Sequence, residues 1–268
     1  MSHAHGGSGR DGVLGPPRSQ VDYARDLRPE QIQSGAHRRR VGGLWDSLGK
    51  MQRDFLVEHG LRPEHRLLDV GCGALRAGRH LAAYLEPGHY YGIDINRSLL
   101  DAGYDRELPD HLRKTLSRDN LRATGRFDVD FAVPFEFALA HSVFTHVPLN
   151  HIRLCLFRVA KAMPPGGRFY ATYFEAPADF PLDGVRPGRR AKRTERNPFL
   201  YYREDLGWAA SFSPWKVRYL GAWGHPRGQR MIEFTRVKRS PKVERRRRAR
   251  RLVLQVPGTR SLYRTVRG

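Results

Sequence analysis

The sequence predicts an α/β domain built on a doubly wound, mostly parallel sheet of seven strands. Short runs rich in β-forming residues recur along the chain, and apolar stripes with helical spacing separate most of them. Glycine- or proline-containing turns punctuate this alternation, which is the pattern of an α/β fold. The last two predicted strands flank a single turn at 224–228, so we expect a hairpin that adds an antiparallel final strand.

The elements follow in chain order. A first helix is predicted at 43–60, because Leu44, Leu48, Met51 and Phe55 recur at spacings of three and four. Further helices are expected at 74–85, after the capping residue Asn96, at 110–116, at 149–163 and at 202–210. Strands are expected at 66–70, 89–95, within 121–131, and at 135–140, 168–175, 215–222 and 230–237.

The positive charge is concentrated in the C-terminal tail and in one loop. The chain of 268 residues carries a formal net charge of +21, of which residues 237–268 contribute +11 and residues 186–196 contribute +5. A nearly neutral body with basic appendages argues against a domain whose whole surface binds nucleic acid. The 2 cysteines cannot form a disulfide framework or a zinc site of Cys/His type.

These features predict three parts. Residues 1–42 form a flexible N-terminal extension, residues 43–237 form the α/β domain, and residues 238–268 form a basic C-terminal tail. No apolar run approaches the roughly 20 residues of a membrane span, and no apolar signal region begins the chain. We therefore expect a cytoplasmic protein without a transmembrane segment. Contact of the basic tail with an anionic membrane surface or with nucleic acid stays open beside a merely solubilising role.

The most informative stretch is the glycine turn after the first strand. Gly71 and Gly73 let the chain turn sharply and let a ligand approach the backbone. A dinucleotide-binding turn needs a third glycine where Arg76 stands, so that pattern fails. Arg76 itself is expected to be a surface or structural residue.

Two acids give this turn a different preference. Asp69 precedes it, where a carboxylate would repel a phosphate but suit a cationic ligand or order the loop by accepting backbone hydrogen bonds. Asp94 ends the second strand 21 residues after Gly73, the spacing of an acid that hydrogen-bonds ribose hydroxyls. The turn therefore indicates a ribose-bearing, cationic ligand without a phosphate.

These residues resemble a known family. The runs Leu68-Asp69-Val70-Gly71-Cys72-Gly73, Tyr91-Gly92-Ile93-Asp94 and Pro164-Pro165-Gly166-Gly167-Arg168 are similar to those of class I S-adenosylmethionine-dependent methyltransferases. The resemblance covers about residues 42–237 and implies a Rossmann-like sheet, a methyltransferase activity and S-adenosyl-L-methionine as cofactor. The chain departs from the family at Leu75, where a third glycine is frequent, and it lacks an Asn-Pro-Pro-Tyr type motif after the fourth strand, which speaks against base methylation.

The resemblance also implies roles for individual residues. It places Asp69, Gly71, Cys72 and Gly73 at the methionine end of the cofactor. It places Asp94 on the ribose, Ile95 against the adenine, Asp128 on the adenine amino group in preference to Asp130, and His141 at the closing end of the pocket.

Histidines His141 and His146 are the candidate general bases. A base is required when the methyl acceptor is a hydroxyl that must lose a proton, and histidine titrates in a suitable range. A structural role at the entry of the following helix is the competing interpretation for His146. Tyr173 and Glu175, at the end of the fifth strand, are alternative residues facing the acceptor.

The predicted function is O-methylation of a small-molecule or glycan-like acceptor. Two alternatives remain open: an RNA methyltransferase guided by the basic tails, and a non-catalytic adenosyl-binding or membrane-surface module. The acceptor itself is not written in the sequence, because the loop at 176–197 and the N-terminal helix carry no recognisable motif.

Overall fold

The protein is described here by a computed structural model that covers residues 22–187 and 191–238. Its strands are β1 (Leu67–Val70), β2 (Tyr90–Asp94), β3 (Leu121–Ala123), β4 (Phe137–Ala140), β5 (Arg168–Glu175), β6 (Leu200–Tyr201), β7 (Trp215–Ala222) and β8 (Arg230–Arg236). Its α-helices are α1 (Pro29–Gln33), α2 (Ala36–Arg40), α3 (Trp45–Glu58), α4 (Gly78–Tyr84), α5 (Arg97–Ala102), α6 (Asp110–Arg113), α7 (Leu149–Ala162) and α8 (Arg203–Ala210). A π-helical turn (Gly103–Glu107) follows α5.

The strands of this part of the chain form one mixed sheet. Its order is β3-β2-β1-β4-β5-β8-β7, and the short β6 pairs with β5 outside that path. The strands from β3 to β5 run parallel, whereas β8 is antiparallel to both of its neighbours. The Rossmann-like, doubly wound sheet with a reversed final strand is therefore confirmed. The predicted count of seven strands omits β6, whose 2 residues leave no periodic signal.

Helices cover both faces of the sheet. On one face, α7 and α8 pack Leu156, Val159 and Leu206 against the strands. On the other face, α3 and α4 contribute Leu56 and Leu81 to a second buried cluster. All four residues of β1 are buried, as expected for a strand at the centre of a covered parallel sheet. No helix in the described ranges is both long and apolar enough to cross a membrane.

One predicted helix begins late. The pattern predicts a helix from residue 74, but α4 begins only at Gly78. Leu75 has φ +62°, a left-handed conformation that L-residues rarely adopt, so the chain cannot be helical there. Leu75 thus adopts a conformation that favours glycine, and its fully buried side chain packs into the core.

Residues 22–42 also differ from the prediction of a flexible extension. They carry α1 and α2 and pack against the glycine turn, where Leu27 shares a buried cluster with Ala74 and Leu99. We refer to residues 22–44 as the leading segment. The sequence gives no periodic signal for it because both helices have 5 residues. Most of the basic tail and residues 1–21 lie outside the described residues.

Candidate active site

The glycine turn lies at the carboxyl edge of the sheet, between β1 and α4. Gly71 and Gly73 have φ values of +74° and +55°, which favour glycine. A Cβ atom at Gly71 would lie 2.4 Å from Cγ2 of Val143, and one at Gly73 would lie 2.6 Å from Cγ1 of Val41. Both positions therefore require glycine for conformation and for space.

Asp94 holds this turn in place. Its Oδ2 accepts a hydrogen bond of 2.8 Å from the backbone N–H of Gly73, and its Oδ1 accepts one of 2.9 Å from Asn96. Burial raises the pKa of Asp94, and the backbone hydrogen bonds oppose that rise. Each oxygen keeps a second lone pair, so the carboxylate can order the loop and still accept from ligand hydroxyls.

Asp69 points into the fold rather than along the turn. Its side chain is 3% exposed, and its Oδ2 accepts a hydrogen bond of 2.8 Å from the Tyr90 hydroxyl. Burial raises its pKa to about 7, and the neighbouring Asp94 adds to the rise. The backbone hydrogen bonds that order the loop are accepted by Asp94, and the placement of negative charge near a cationic ligand stays a prediction for Asp69.

Cys72 contributes packing at the same place. Its thiol is buried, and a Cβ at Gly92 would lie 2.7 Å from its Sγ atom. Burial raises the pKa of the thiol well above its ordinary value, so the side chain is a neutral apolar group. Only the backbone of Cys72 can line the turn, where its N–H donates to the carbonyl of Ile93.

The two residues assigned to the adenine differ in their surroundings. Ile95 is 45% exposed directly after β2, which suits an apolar surface that a flat ring would cover. Asp128 instead forms an ion pair with Arg158 of α7, and its Oδ2 accepts a 2.9 Å hydrogen bond from Thr124. The contact of Asp128 with adenine stays a prediction, and these partners compete with it.

The two candidate bases lie beyond β4 in different environments. The half-buried His146 accepts or donates at both ring nitrogens: Nδ1 lies 2.6 Å from Oδ1 of Asn197, and Nε2 lies 3.2 Å from the Tyr23 hydroxyl. His141 is 7% exposed, and its Nδ1 lies 3.2 Å from Nη2 of Arg76. Burial, followed by the positive charge of Arg76, lowers the pKa of His141 well below its ordinary value.

Tyr173 and Glu175 are engaged elsewhere. Glu175 pairs with Arg203 and Arg230 and accepts a 2.5 Å hydrogen bond from the Tyr219 hydroxyl. The Tyr173 hydroxyl in turn lies 3.4 Å from Glu175. This group forms an ion-paired cluster at the end of β5.

The leading segment crosses the carboxyl edge over the turn. The side-chain amide of Asn96, after β2, donates to the carbonyls of Tyr23 and Arg25, while the Tyr23 hydroxyl reaches His146 beyond β4. Because β1 lies between β2 and β4, Tyr23 spans the end of β1. Sequence reasoning missed Tyr23, since its partners lie 73 and 123 residues away in the chain.

Comparisons with known proteins agree with this architecture. Residues 68–169 match a family model described as a methyltransferase domain. Solved structures with the same fold include S-adenosylmethionine-bound CalS10, an amino pentose methyltransferase from Micromonospora echinaspora (19% identity, 77% of this chain and 97% of that chain covered, TM-score 0.54). DesVI from Streptomyces venezuelae is similar (17% identity, 79% and 99% covered, TM-score 0.56). So is an S-adenosylmethionine-dependent methyltransferase from Clostridium acetobutylicum (12% identity, 79% and 100% covered, TM-score 0.55).

Residues 68–169 therefore match a methyltransferase domain, and the chain shares the fold of S-adenosylmethionine-dependent methyltransferases, which supports S-adenosyl-L-methionine as the cofactor. The site fits that cofactor. Two acids, Asp69 and Asp94, favour a cation over a pyrophosphate, and the turn between them requires bare backbone at Gly71 and Gly73. No cluster of metal-ligating side chains occurs within the described ranges.

Proposed function

We propose that this protein transfers a methyl group from S-adenosyl-L-methionine to an oxygen atom of a small-molecule or glycan-like acceptor. The observation that carries the choice of oxygen is the arrangement of His146 between a hydroxyl group and a fixed amide. A hydroxyl acceptor requires a positioned base, whereas the sulfonium of the cofactor supplies an already activated methyl group.

His146 has the orientation that a general base requires. The Oδ1 atom of Asn197 can only accept a hydrogen bond, so Nδ1 of His146 carries the proton and Nε2 carries the lone pair. The Tyr23 hydroxyl donates to that lone pair across 3.2 Å, and this contact supports the approach of a hydroxyl to Nε2. In the proposed reaction, an acceptor hydroxyl takes the same position and its proton passes to Nε2.

His141 is not suited to that role. Its Nδ1 is already an acceptor for the Arg76 guanidinium, which leaves Nε2 protonated in the neutral ring. We therefore assign proton removal to His146 alone. In the proposed site, Asp94 holds the ribose and orders the turn, Ile95 lies against the adenine, and the turn residues Gly71, Cys72 and Gly73 surround the methionine end.

Transfer of an isotopically labelled methyl group tests this assignment. The full chain is incubated with labelled S-adenosylmethionine and a panel of hydroxyl-bearing sugars and phenols, amine-bearing sugars, and total RNA. We expect label in oxygen ethers. Label confined to amino sugars would make it an N-methyltransferase, and label confined to RNA would favour the RNA alternative.

The variant His146→Gln sharpens the test. It keeps polar character but cannot take a proton, so we expect transfer to fall at least about 100-fold, the lower range of general-base catalysis. Calorimetric affinity for S-adenosylhomocysteine should stay within about fivefold, because only the hydrogen bond to Tyr23 is lost near the cofactor. His111→Gln, at an exposed histidine of α6, is the matched control. Unchanged transfer in His146→Gln would remove His146 as the base.

A further inference from the structure

A cluster of buried hydrogen-bond donors lies beside the end of β4. It consists of Arg76 from the glycine turn, His141 after β4, and Trp223 and His225 from the connection between β7 and β8. The three rings contact one another, with centroid separations of 5.1 Å for the two histidines and 5.5 and 5.7 Å from Trp223 to His225 and His141. Arg76 joins the rings through His141. We call these four residues the donor cluster.

The tautomers of both histidines follow from their partners. Nδ1 of His141 faces Nη2 of Arg76, which can only donate, and Nδ1 of His225 accepts a 3.1 Å hydrogen bond from the backbone N–H of Arg227. Burial lowers the pKa of His141 well below its ordinary value and that of His225 to about 4, so both rings are neutral at physiological pH. Each ring therefore carries its single proton on Nε2.

Four donor atoms of the cluster have no acceptor among the described residues. The buried atoms without a hydrogen-bond partner include Nε2 of His141, Nε2 of His225, Nε of Arg76 and Nε1 of Trp223. Buried donors are normally paired, because an unpaired one loses its hydration without compensation. All four atoms are hydrogen-bond donors. A group that only accepts hydrogen bonds would therefore pair with them.

The charge of the cluster points the same way. Arg76 is 7% exposed, and its guanidinium donates to the carbonyls of Val41 and Gly43 and to His141, all of which are uncharged. In the described ranges, no carboxylate lies within 4.0 Å of it to form an ion pair. Burial lowers its pKa to about 10. An anionic partner at hydrogen-bond distance stabilises a buried cation strongly.

We propose that the donor cluster binds a carboxylate group of the methyl acceptor. The proposal rests on the proposed function, since it names the chemistry of the acceptor. A carboxylate only accepts hydrogen bonds and supplies about four lone-pair sites. It also carries the negative charge that would pair with the guanidinium of Arg76. The cluster begins at His141, the first residue after β4, while Val143 packs on Gly71 of the cofactor turn. A carboxylate held there anchors an acceptor next to the methyl donor.

Acetate is the probe that tests the cluster directly. The full chain, with 15N-labelled histidine and saturated with S-adenosylhomocysteine, is titrated with acetate and separately with acetamide, at constant ionic strength. We expect the Nε2–H resonances of His141 and His225 to shift with acetate and to saturate, and to stay unchanged with acetamide. A wild-type protein that shows no saturable shift with acetate would overturn the proposal.

Two variants remove a donor but keep an aromatic ring. We expect His225→Phe to weaken acetate binding at least tenfold and Trp223→Phe to weaken it about three- to tenfold. His111→Phe and Trp208→Phe, at exposed positions, are the matched controls. If His225→Phe fails to fold, Trp223→Phe alone decides, because its half-buried ring is replaced by a smaller one at the same place. Acetate binding that is equal in the variants and in the wild-type protein would refute the assignment.

The cofactor carries a carboxylate of its own. A third measurement therefore distinguishes binding of the cofactor's carboxylate from binding of the acceptor's carboxylate. S-adenosylhomocysteine has this carboxylate and methylthioadenosine lacks it. We expect the variants to bind both compounds within twofold of the wild-type protein. A tenfold loss for S-adenosylhomocysteine alone would mean that the cluster serves the cofactor, which overturns the proposal. No binding of S-adenosylhomocysteine to the wild-type protein would instead overturn the proposed function.

Discussion

The carboxyl edge of the sheet has an acidic half and a cationic half. On β1 and β2, Asp69 and Asp94 are carboxyls whose pKa burial raises. Beside β4, Arg76 is a buried guanidinium whose pKa burial lowers to about 10. Each half holds charge that its protein neighbours do not neutralise by an ion pair within the described ranges. The contrast suggests that a cationic methyl donor and an anionic acceptor are sorted to opposite sides.

The leading segment contacts both halves. Its Tyr23 and Arg25 carbonyls accept from Asn96 next to the acidic half, and its Val41 and Gly43 carbonyls accept from Arg76 in the cationic half. The leading segment therefore lies against both halves. Variants in either half, or in the segment, therefore test the division.

The largest effect is expected from Asp94→Ala. The variant removes the acceptor of two charge-assisted backbone hydrogen bonds, each worth roughly 1.5–3 kcal/mol. We expect calorimetric affinity for S-adenosylmethionine to fall at least about 100-fold, which corresponds to about 2.7 kcal/mol. Asp130→Ala, at an exposed loop acid, should bind normally. Comparable affinities in the two variants would exclude Asp94 from the acidic half of the site.

A smaller effect is expected on stability from Asp69→Asn. The pKa of Asp69 is about 7 in the folded chain and near 3.8 when unfolded, so the folded state binds the extra proton between these values. The wild-type protein therefore loses stability as pH rises from about 4 to 7. At pH 8 we expect urea denaturation to give Asp69→Asn about 2 kcal/mol more stability than the wild-type protein.

The same comparison at pH 4 is the control. There Asp69 is protonated in the folded state and only partly ionised in the unfolded state, so the advantage of Asp69→Asn should be small. An advantage that is independent of pH, or a loss of stability at pH 8, would show that Asp69 is not a buried carboxyl with a raised pKa.

The smallest effect is expected from Tyr23→Phe. The variant removes one half-buried hydrogen bond to His146, worth about 1 kcal/mol, and leaves the carbonyl that accepts from Asn96. If the leading segment closes over the cofactor, stopped-flow measurements should show that S-adenosylhomocysteine dissociates about two- to fivefold faster. Tyr104→Phe is the matched control, because this tyrosine contacts Arg118 and the carbonyl of Arg113 away from the edge. Slower or unchanged dissociation would indicate that the segment does not act as a cover.

The sequence predicts the acidic half far better than the cationic half. Gly71, Gly73 and Asp94 belong to local patterns whose spacing the fold fixes, so the strand order and the turn could be inferred from them. The sequence identifies Asp69 as a candidate site residue but does not predict where its side chain points. That direction depends on a hydrogen bond from the hydroxyl of Tyr90 on the next strand.

The cationic half depends on contacts between distant segments. Arg76 is expected to be a surface or structural residue, and the carbonyls that accept its hydrogen bonds lie 33 and 35 residues upstream. From the sequence, the turn that contains His225 is recognisable only as a hairpin connection. No local pattern predicts that the ring of His225 contacts the ring of His141. The adenine contact of Asp128 stays a prediction, and its ion pair with Arg158 of the distant α7 is a further contact that no local pattern reveals.

The most direct test of the division between the halves is the ratio of affinities for S-adenosylmethionine and S-adenosylhomocysteine, which differ in the charge of the sulfonium. The ratio is measured by calorimetry at pH 6 and pH 8, in the wild-type protein and in Asp69→Asn. Ionised Asp69 attracts the cation, and its pKa is about 7. We expect the ratio to rise several-fold towards pH 8 in the wild-type protein and to stay constant in the variant. A constant ratio in the wild-type protein, or an equal rise in both proteins, would contradict the account.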